Sequence, residues 1–543
     1  MRWKGSFLVG KTTQVNDPTG TYAFAYDNMG RLIGTTTSYS FLTSRNFTNA
    51  YAYDAASNRT GFTDPESGAT SYSYDTLNRL TSLAPPSAFG SGSFGFSYDA
   101  LSRRTQMTRP NSVATNYSYD NLSRLTSVLH QLSGSTIDGA SYTLDSAGNR
   151  TAKTDQLSAV KSNYTYDAIY ELTQATQGGS TTESYSYDAV GNRTASLGVS
   201  SYTTNASNEM TANSNASYTY DSNGNTLTKT VGSDTTTYTW DYENRLTSVT
   251  LPSSGGTVSF NYDPFGRRIK KSSSTTTSVF AYDGDNLIEE TNSSGAVVSR
   301  YTQTQNIDEP LAMLRSSATS YYNADGLGSV TSLTNSVGAA AQTYTYDSYG
   351  NVTATSGSVT NPFQYTARES DAQTALYYYR ARYYDSSTGR FSTEDPLRYD
   401  PTSFYSYVGG NPVIWADPLG LYQCGYRATC NFQPDLNDAI LKFEKCTGND
   451  ITVTCGNNGH PPTDSHFYGW AVDMGQNANP WLTRAIAVDC FTKSFPQGPG
   501  GSYAQQEYNS SDPNQGWHFH FQYFPGKNYC FGFARLPIKP HGK

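Results

Sequence analysis

The sequence predicts an all-β chain: a long array of antiparallel strand pairs built from one repeated unit, followed by a small, separate α+β domain. Three observations predict it. Residues 20–350 return repeatedly to a Tyr-Asp pair followed by a turn. All six Cys and five of the six His lie beyond residue 421, leaving only His130 before it. Forty-five Tyr among abundant Ser, Thr, Asn and Gly is a strand-and-turn composition too aromatic for simple disorder. With 15% charged residues, a mean hydropathy of -0.59 and no long apolar run, the chain reads as neither a membrane protein nor one with a secretory signal at residues 1–11.

The repeat appears as AYDNMGRL around Tyr26, YDTLNRLTSL at Tyr74, YDNLSRLTSV at Tyr119, YDAVGNRTA at Tyr187, YDPFGRRI at Tyr262 and YDSYGNVTA at Tyr346. Successive Asp positions from Asp54 to Asp283 are mostly 20 to 25 residues apart, and the 33-residue gap before Asp221 holds a decayed copy at residues 202–210. Such a period means one supersecondary unit per repeat, stacked on its neighbours to share a core. Tyr72 and Tyr74 alternate with Ser71 and Ser73, so the aromatics share one strand face and the hydroxyls the other. Asp75 to Asn78 then turn the chain, and Gly191 at the equivalent site tolerates positive φ. So many copies without an added functional residue read as scaffold, and the Asn-Arg-Thr triplets at Asn58, Asn149 and Asn192 occupy its turns.

These motifs resemble the YD-repeat, or RHS-repeat, proteins of bacteria over roughly residues 20–421. The resemblance includes Asp325-Gly-Leu-Gly-Ser329, YYYRARYYDSSTGRFSTEDP at residues 377–396 and YSYVGGNPVIWADPLGL at residues 405–421. It implies that the strands spiral into a hollow shell around a variable C-terminal toxin, cut from the shell after a DPxGL sequence. Here that sequence ends at Leu421, so the cut falls between Leu421 and Tyr422. The family's aspartate pair matches Asp395 and Asp417. Two carboxylates held close cannot both ionise, so one keeps a proton to polarise the scissile carbonyl while the other activates water. The chain departs from the family at Arg398, where Gly is usual. The expected domains are a repeat shell over residues 1–320, a core with the self-cleavage motif over 321–421, and a toxin domain over 422–543. About 60% strand among some 400 residues covers about 4,000 Å², against on the order of 6,000 Å² for a shell around a domain about 35 Å wide, so the chain reads as the C-terminal part of a longer protein.

Residues 422–543 carry nine Lys+Arg and nine Asp+Glu, so the net charge of -8 belongs to the body, and a neutral tail argues against a nucleic-acid partner. Residues 517–521 alternate Trp517, Phe519 and Phe521 with His518 and His520, which sets both imidazoles on one face of a strand. Upstream, Gly469, Ala471 and Asp473 keep the same two-residue period, and a turn near Gly469 must bring His466 round. His466, Asp473 and His520 would supply three N/O ligands with a fourth position open, the arrangement of catalytic rather than structural zinc.

The constellation resembles the metallopeptidases grouped as lysostaphin, D-Ala-D-Ala peptidases and hedgehog, whose pattern is H-x(6)-D followed by HxH. The resemblance implies Zn2+ held by His466, Asp473 and His520, with His518 as the acid/base. Trp517 stands where some relatives have Glu, which leaves His518 or a carboxylate such as Glu507 as base. Arg484, in a helical-looking stretch from Asn479 to Phe495, is a candidate for an oxyanion or a substrate carboxylate. Six Cys in a short neutral domain, with no CxxC, suggest three disulfides of unspecified connectivity and an oxidising compartment such as the periplasm.

The sequence thus predicts an all-β YD-repeat shell, a spiralling antiparallel sheet, followed by a disulfide-bonded α+β zinc peptidase-like domain. Self-cleavage releases a peptidase acting on peptidoglycan stem peptides. The expected partners are that substrate, an immunity protein and a secretion apparatus, with neither nucleic acid nor membrane, and the expected location is secreted or delivered to a target bacterium's periplasm or wall. The rivals are a metal-dependent nuclease toxin and a non-enzymatic surface or adhesion protein.

Overall fold

A computed structural model describes residues 4–8, 11–396, 404–421, 471–475, 502–508 and 517–523. The chain divides into two compact units, Met1–Tyr422 and Gln423–Lys543, one residue from the boundary read in the sequence. The first unit opens with 18 antiparallel strands, from Lys4–Leu8 to Arg193–Ser196, each pairing with the next along the chain. A second meander of 16 strands runs from Thr203–Thr204 to Val352–Gly357. Residue 320 falls inside its strand Ala318–Ala324, so the meander continues through the point where the core segment was expected to start. A four-stranded sheet then spans Glu369–Asp371, Leu376–Tyr379, Arg382–Asp385 and Arg390–Phe391.

The turn chemistry is shown by Asp75. Its Oδ1 accepts the N–H groups of Leu77 and Arg79 at 2.9 and 3.0 Å, while Asn78 N–H donates to the Asp75 carbonyl at 3.0 Å. Asn78 takes φ 60, and the ladder shifts register between Ser73 and Tyr74, so a tight turn closes with a left-handed residue and a bulge. Arg79 then binds both ways. Its Nε donates back to Asp75 Oδ2 at 2.7 Å, its Nη1 donates forward to the Asp99 carbonyl at 3.2 Å, and its guanidinium lies 4.9 Å from the ring centre of Tyr98. Tyr98 in turn donates its hydroxyl to the Leu80 carbonyl at 2.8 Å. Asp, Arg and the next Tyr therefore form one clamp between consecutive hairpins, repeated at Asp99, Arg103 and Tyr119. The decayed copy at 202–210 makes the same turn, with Asn205 N–H donating to the Glu209 carbonyl at 3.0 Å and Asn208 at φ 62.

The alternation read in the sequence sets the packing. Strand Ala69–Tyr74 buries Thr70 and Tyr72 and exposes Ala69, Ser71 and Ser73. The buried face of the first sheet packs through Tyr22, Tyr39, Phe47, Phe62 and Phe94 on Ile269, Val279, Ile288 and Leu311 of the second. Charged and polar pairs close the seam, including Arg59 Nη1 to Asp283 Oδ2 at 2.6 Å and Lys153 Nζ to Asp325 Oδ2 at 2.7 Å. His130 lies in this seam with Nε2 at 3.0 Å from the Ala324 carbonyl, and burial drives its pKa down to about 3, so it is a neutral packing residue. The second sheet's other face packs on the four-stranded sheet, Tyr262 and Phe260 meeting Tyr378 and Tyr383.

One repeat stands out by its burial. After Asp167 the left-handed position is Tyr170, φ 70, and the next residue is Glu171, where most repeats carry Arg or Asn and the decayed copy carries Glu209. Burial, then the neighbouring Asp167 carboxylate, pushes Glu171 up to about 8. The chain's return segment rests on this turn: Asn411 donates to the Tyr170 carbonyl at 2.9 Å, and a Cβ on Gly410 would lie 3.1 Å from Glu171 Cγ. Because the folded protein raises this carboxyl's pKa, its contribution to stability is present below the ordinary Glu value of 4.5 and is lost as pH rises through about 8. The unfolding midpoint is expected to fall between about pH 5 and pH 8, and Glu171→Gln to flatten that fall; equal slopes for the two proteins would refute it.

Candidate functional site

The aspartates singled out by the sequence come together around a residue it did not single out. Arg382 opens the strand Arg382–Asp385, with its guanidinium 3.6 Å from the ring centre of Phe391. Arg382 Nη2 lies 3.1 Å from Asp395 Oδ2 and 3.3 Å from Asp417 Oδ2. All three side chains are buried, at 1% exposure for Arg382 and Asp395 and 0% for Asp417. Burial pulls the Arg382 guanidinium below its usual range and the two carboxylates oppose that. The pair is thus not bare: one guanidinium lies against both carboxylates and compensates part of their charge in a water-poor site. Its signal in the sequence was a charged residue inside the aromatic run 377–384, which only partnered burial accommodates.

The same arginine fixes the segment that ends at Leu421. Arg382 Nε donates to the Gly420 carbonyl and Nη1 to the Phe404 carbonyl, the latter at 3.1 Å. Asp417 Oδ1 accepts the Leu421 N–H at 3.2 Å, and Ala381 N–H donates to the Leu419 carbonyl at 3.1 Å. Arg380 holds the Pro418 carbonyl while pairing with Asp308. Gly420 takes φ +65, and a Cβ there would meet the Tyr379 carbonyl oxygen at 2.4 Å, so only glycine lets the strip approach this closely. Residues 417–421 therefore lie pinned along residues 379–382, with one carboxylate at the amide next to the expected scissile bond. Tyr422 lies outside the described residues.

In the second unit, strands Ala471–Gly475, Ser502–Tyr508 and Trp517–Tyr523 form one antiparallel sheet with Trp517–Tyr523 in the centre. The register sets Asp473 directly opposite His520 and Gly475 opposite His518. On the other side Gln505 pairs with His520 and Glu507 with His518. Directly opposed residues share a sheet face, so Asp473, His518, His520 and Glu507 occupy neighbouring positions on one face. Carboxylate and imidazole are residue types suited to zinc, and the register brings one of each to the same rung. His466, Arg484 and all six Cys lie outside the described residues, and among the described residues no cluster of three or more metal-type side chains occurs.

Residues 156–413 match the teneurin YD-shell family and residues 51–87 the RHS repeat. A tRNA3(Ser)-specific nuclease, WapA, of Bacillus spizizenii is 31% identical over 239 residues, covering 41% of this chain and 10% of its own length. Double-stranded DNA deaminase toxin A of Burkholderia cenocepacia is 31% identical over 106 residues, 19% of this chain and 7% of its own. The chain thus spans a tenth or less of these two relatives. Among solved structures, TcdB2-TccC3 superposes with a TM-score of 0.64 at 18% identity over 77% of this chain and 26% of that one. The Photorhabdus luminescens Tc holotoxin pore gives 0.63 at 18% identity over 76% and 24%. The described body of this chain therefore has the all-β antiparallel fold of a YD-repeat shell.

Proposed function

We propose that the chain belongs to a bacterial toxin whose YD-repeat body cuts itself after Leu421, freeing residues 422–543 as a zinc peptidase of peptidoglycan stem peptides. The observation that carries the peptidase is the rung pairing Asp473 with His520, with His518 two residues away on the same face. In this reading His466, Asp473 and His520 hold the ion, and zinc bound there supplies polarisation of a peptide carbonyl. His518 is the acid/base, with Glu507, its rung partner, as the alternative base. Support for self-cleavage is the Asp395, Arg382, Asp417 cluster against residues 417–421. The tail acts outside the producing cell, with an immunity protein guarding the producer. No helix among the described residues is long and apolar enough to cross a membrane.

A second reading, a toxin acting on nucleic acid, is favoured by the names of the relatives, a tRNA nuclease and a DNA deaminase. The balance of nine basic and nine acidic residues over 422–543 weighs against it.

Purified protein is expected to run as fragments of about 421 and 122 residues. Asp395→Asn should leave one band, and Gly420→Ala, which drives a methyl into the Tyr379 carbonyl, should slow the cut at least ~10-fold. An uncut parent, or an Asp395→Asn protein cut at the parent rate, contradicts self-cleavage. The protein should also carry about one zinc per chain and release peptides from peptidoglycan, with His520→Ala losing both. Zinc-free protein, or degradation of tRNA or DNA with wall peptides left intact, decides against the peptidase.

A further inference from the structure

We propose that Arg380 and Asp308 are positioning residues that make the cut after Leu421 depend on the docking of the first sheet, an inference that rests on the self-cleavage reading. Residues 380–381 turn the chain between the strands Leu376–Tyr379 and Arg382–Asp385, with Tyr379 opposite Arg382. Three consecutive residues of this hairpin hold three consecutive carbonyls: Arg380 that of Pro418, the Ala381 N–H that of Leu419 and Arg382 Nε that of Gly420. Arg380 takes φ 60 at the first position of a two-residue turn, where Gly is usual. An arginine kept in this left-handed conformation is strained, and such strain persists only where surrounding contacts over-determine it.

Those contacts come from two turns of the second sheet. Asp308 accepts Arg380 Nη2 at 2.7 Å and Nη1 at 3.1 Å, and it also pairs with Arg368. The Asp285 carbonyl accepts Arg380 Nη2 at 3.2 Å. Asn286 joins the two turns by donating to the Asn306 carbonyl at 3.1 Å.

Each of these turns is fixed in turn by an arginine and a tyrosine of the first sheet. Asp283 pairs with Arg59 and accepts the Tyr51 hydroxyl at 3.0 Å, while Glu309 pairs with Arg104 and Gln305 donates to the Tyr74 hydroxyl at 2.6 Å. Glu309 also closes its own turn, accepting the Thr304 hydroxyl at 2.6 Å and Asn306 Nδ2 at 2.8 Å. With the first sheet undocked, Glu309 and Asp283 lose their arginines, and the two turns that hold Arg380 lose their anchors. Arg380 then relaxes away from the Pro418 carbonyl. A displacement of about 1 Å at reacting groups can cost on the order of 10²-fold in rate, so the cut waits for a closed seam. Residues 422–543 are thereby freed only from a body that has already folded.

Full chain made by cell-free synthesis, followed on gels for the fragment that ends at Leu421, tests this. The parent is compared with Asp308→Asn, with the seam pair Arg104→Gln/Glu309→Gln and with all three changes together. Asp308→Asn and the seam pair should each slow the cut at least ~10-fold, and the combination should slow it no more than the slower of the two, because both act through Arg380. Arg380→Gly, which takes φ 60 without strain, should slow the cut as much while keeping the parent's unfolding midpoint. Parent-rate cutting by Asp308→Asn, by the seam pair or by Arg380→Gly, or slowing that multiplies in the combination, overturns the proposal. Where the seam pair lowers the unfolding midpoint, Tyr51→Phe/Tyr74→Phe, which removes only two hydroxyls, decides by whether it slows the cut at all. An uncut parent, or Asp395→Asn cut at the parent rate, removes self-cleavage itself; a cut parent and an uncut Asp395→Asn beside a parent-rate Asp308→Asn remove this inference alone.

Discussion

The body depends first on the two-way reach of the arginine that follows many of its turns, at Arg31, Arg79, Arg103, Arg124, Arg245 and Arg267. The aspartate closes its own turn by accepting two backbone N–H groups, and the arginine neutralises that aspartate while holding the next turn by its carbonyl and its tyrosine ring. Each hairpin alone would be marginal in water, as two-stranded pieces are. Linked this way they form a continuous sheet in which every unit is anchored to both neighbours, and stability is a sum over nearest-neighbour interfaces. The tyrosines serve twice, as core rings on the buried face and as hydroxyl donors to the preceding unit.

Residues 417–421 are held by the same chemistry in a more buried setting. Arg382 holds backbone carbonyls of Phe404 and Gly420 and lies against two carboxylates at once. What is a surface clamp in the repeats becomes, under the four-stranded sheet, a means of fixing residues 417–421 beside two acidic groups. The segment reaches this place because Tyr405 donates to the Gly224 carbonyl, Asn411 to the Tyr170 carbonyl, and Arg150 holds the Val413 carbonyl. Both long sheets therefore contribute to positioning a short strip of backbone.

Much of this was legible in the sequence. Tyr-Asp spacing identifies the hairpins, Tyr/Ser alternation identifies the buried face, and the break in Cys and His usage lies one residue from the division between the units. The pairing of Asp395 with Asp417 followed from a family motif. Three things were hidden. The arginine clamp joins residues about 20 apart through backbone carbonyls, which leave no trace in side-chain identity. The seam between the sheets joins residues such as Arg59 and Asp283, whose separation is set by how the meander returns rather than by any local pattern. Glu171 carries no signal of its own in the sequence, and only its burial beside Asp167 gives it an unusual protonation. In the second unit, alternation groups His518 with His520 along one strand, while the rung joining Asp473 to His520 requires a register that no single strand encodes.

The N-terminus of the smaller fragment, read by Edman degradation or intact mass, tests the account most directly, because the proposed self-cleavage falls at one peptide bond, next to the strip that Arg382, Asp417 and Gly420 hold. The account predicts that this fragment begins at Tyr422. A fragment beginning elsewhere, or beginning there only after an added protease has acted, would contradict it.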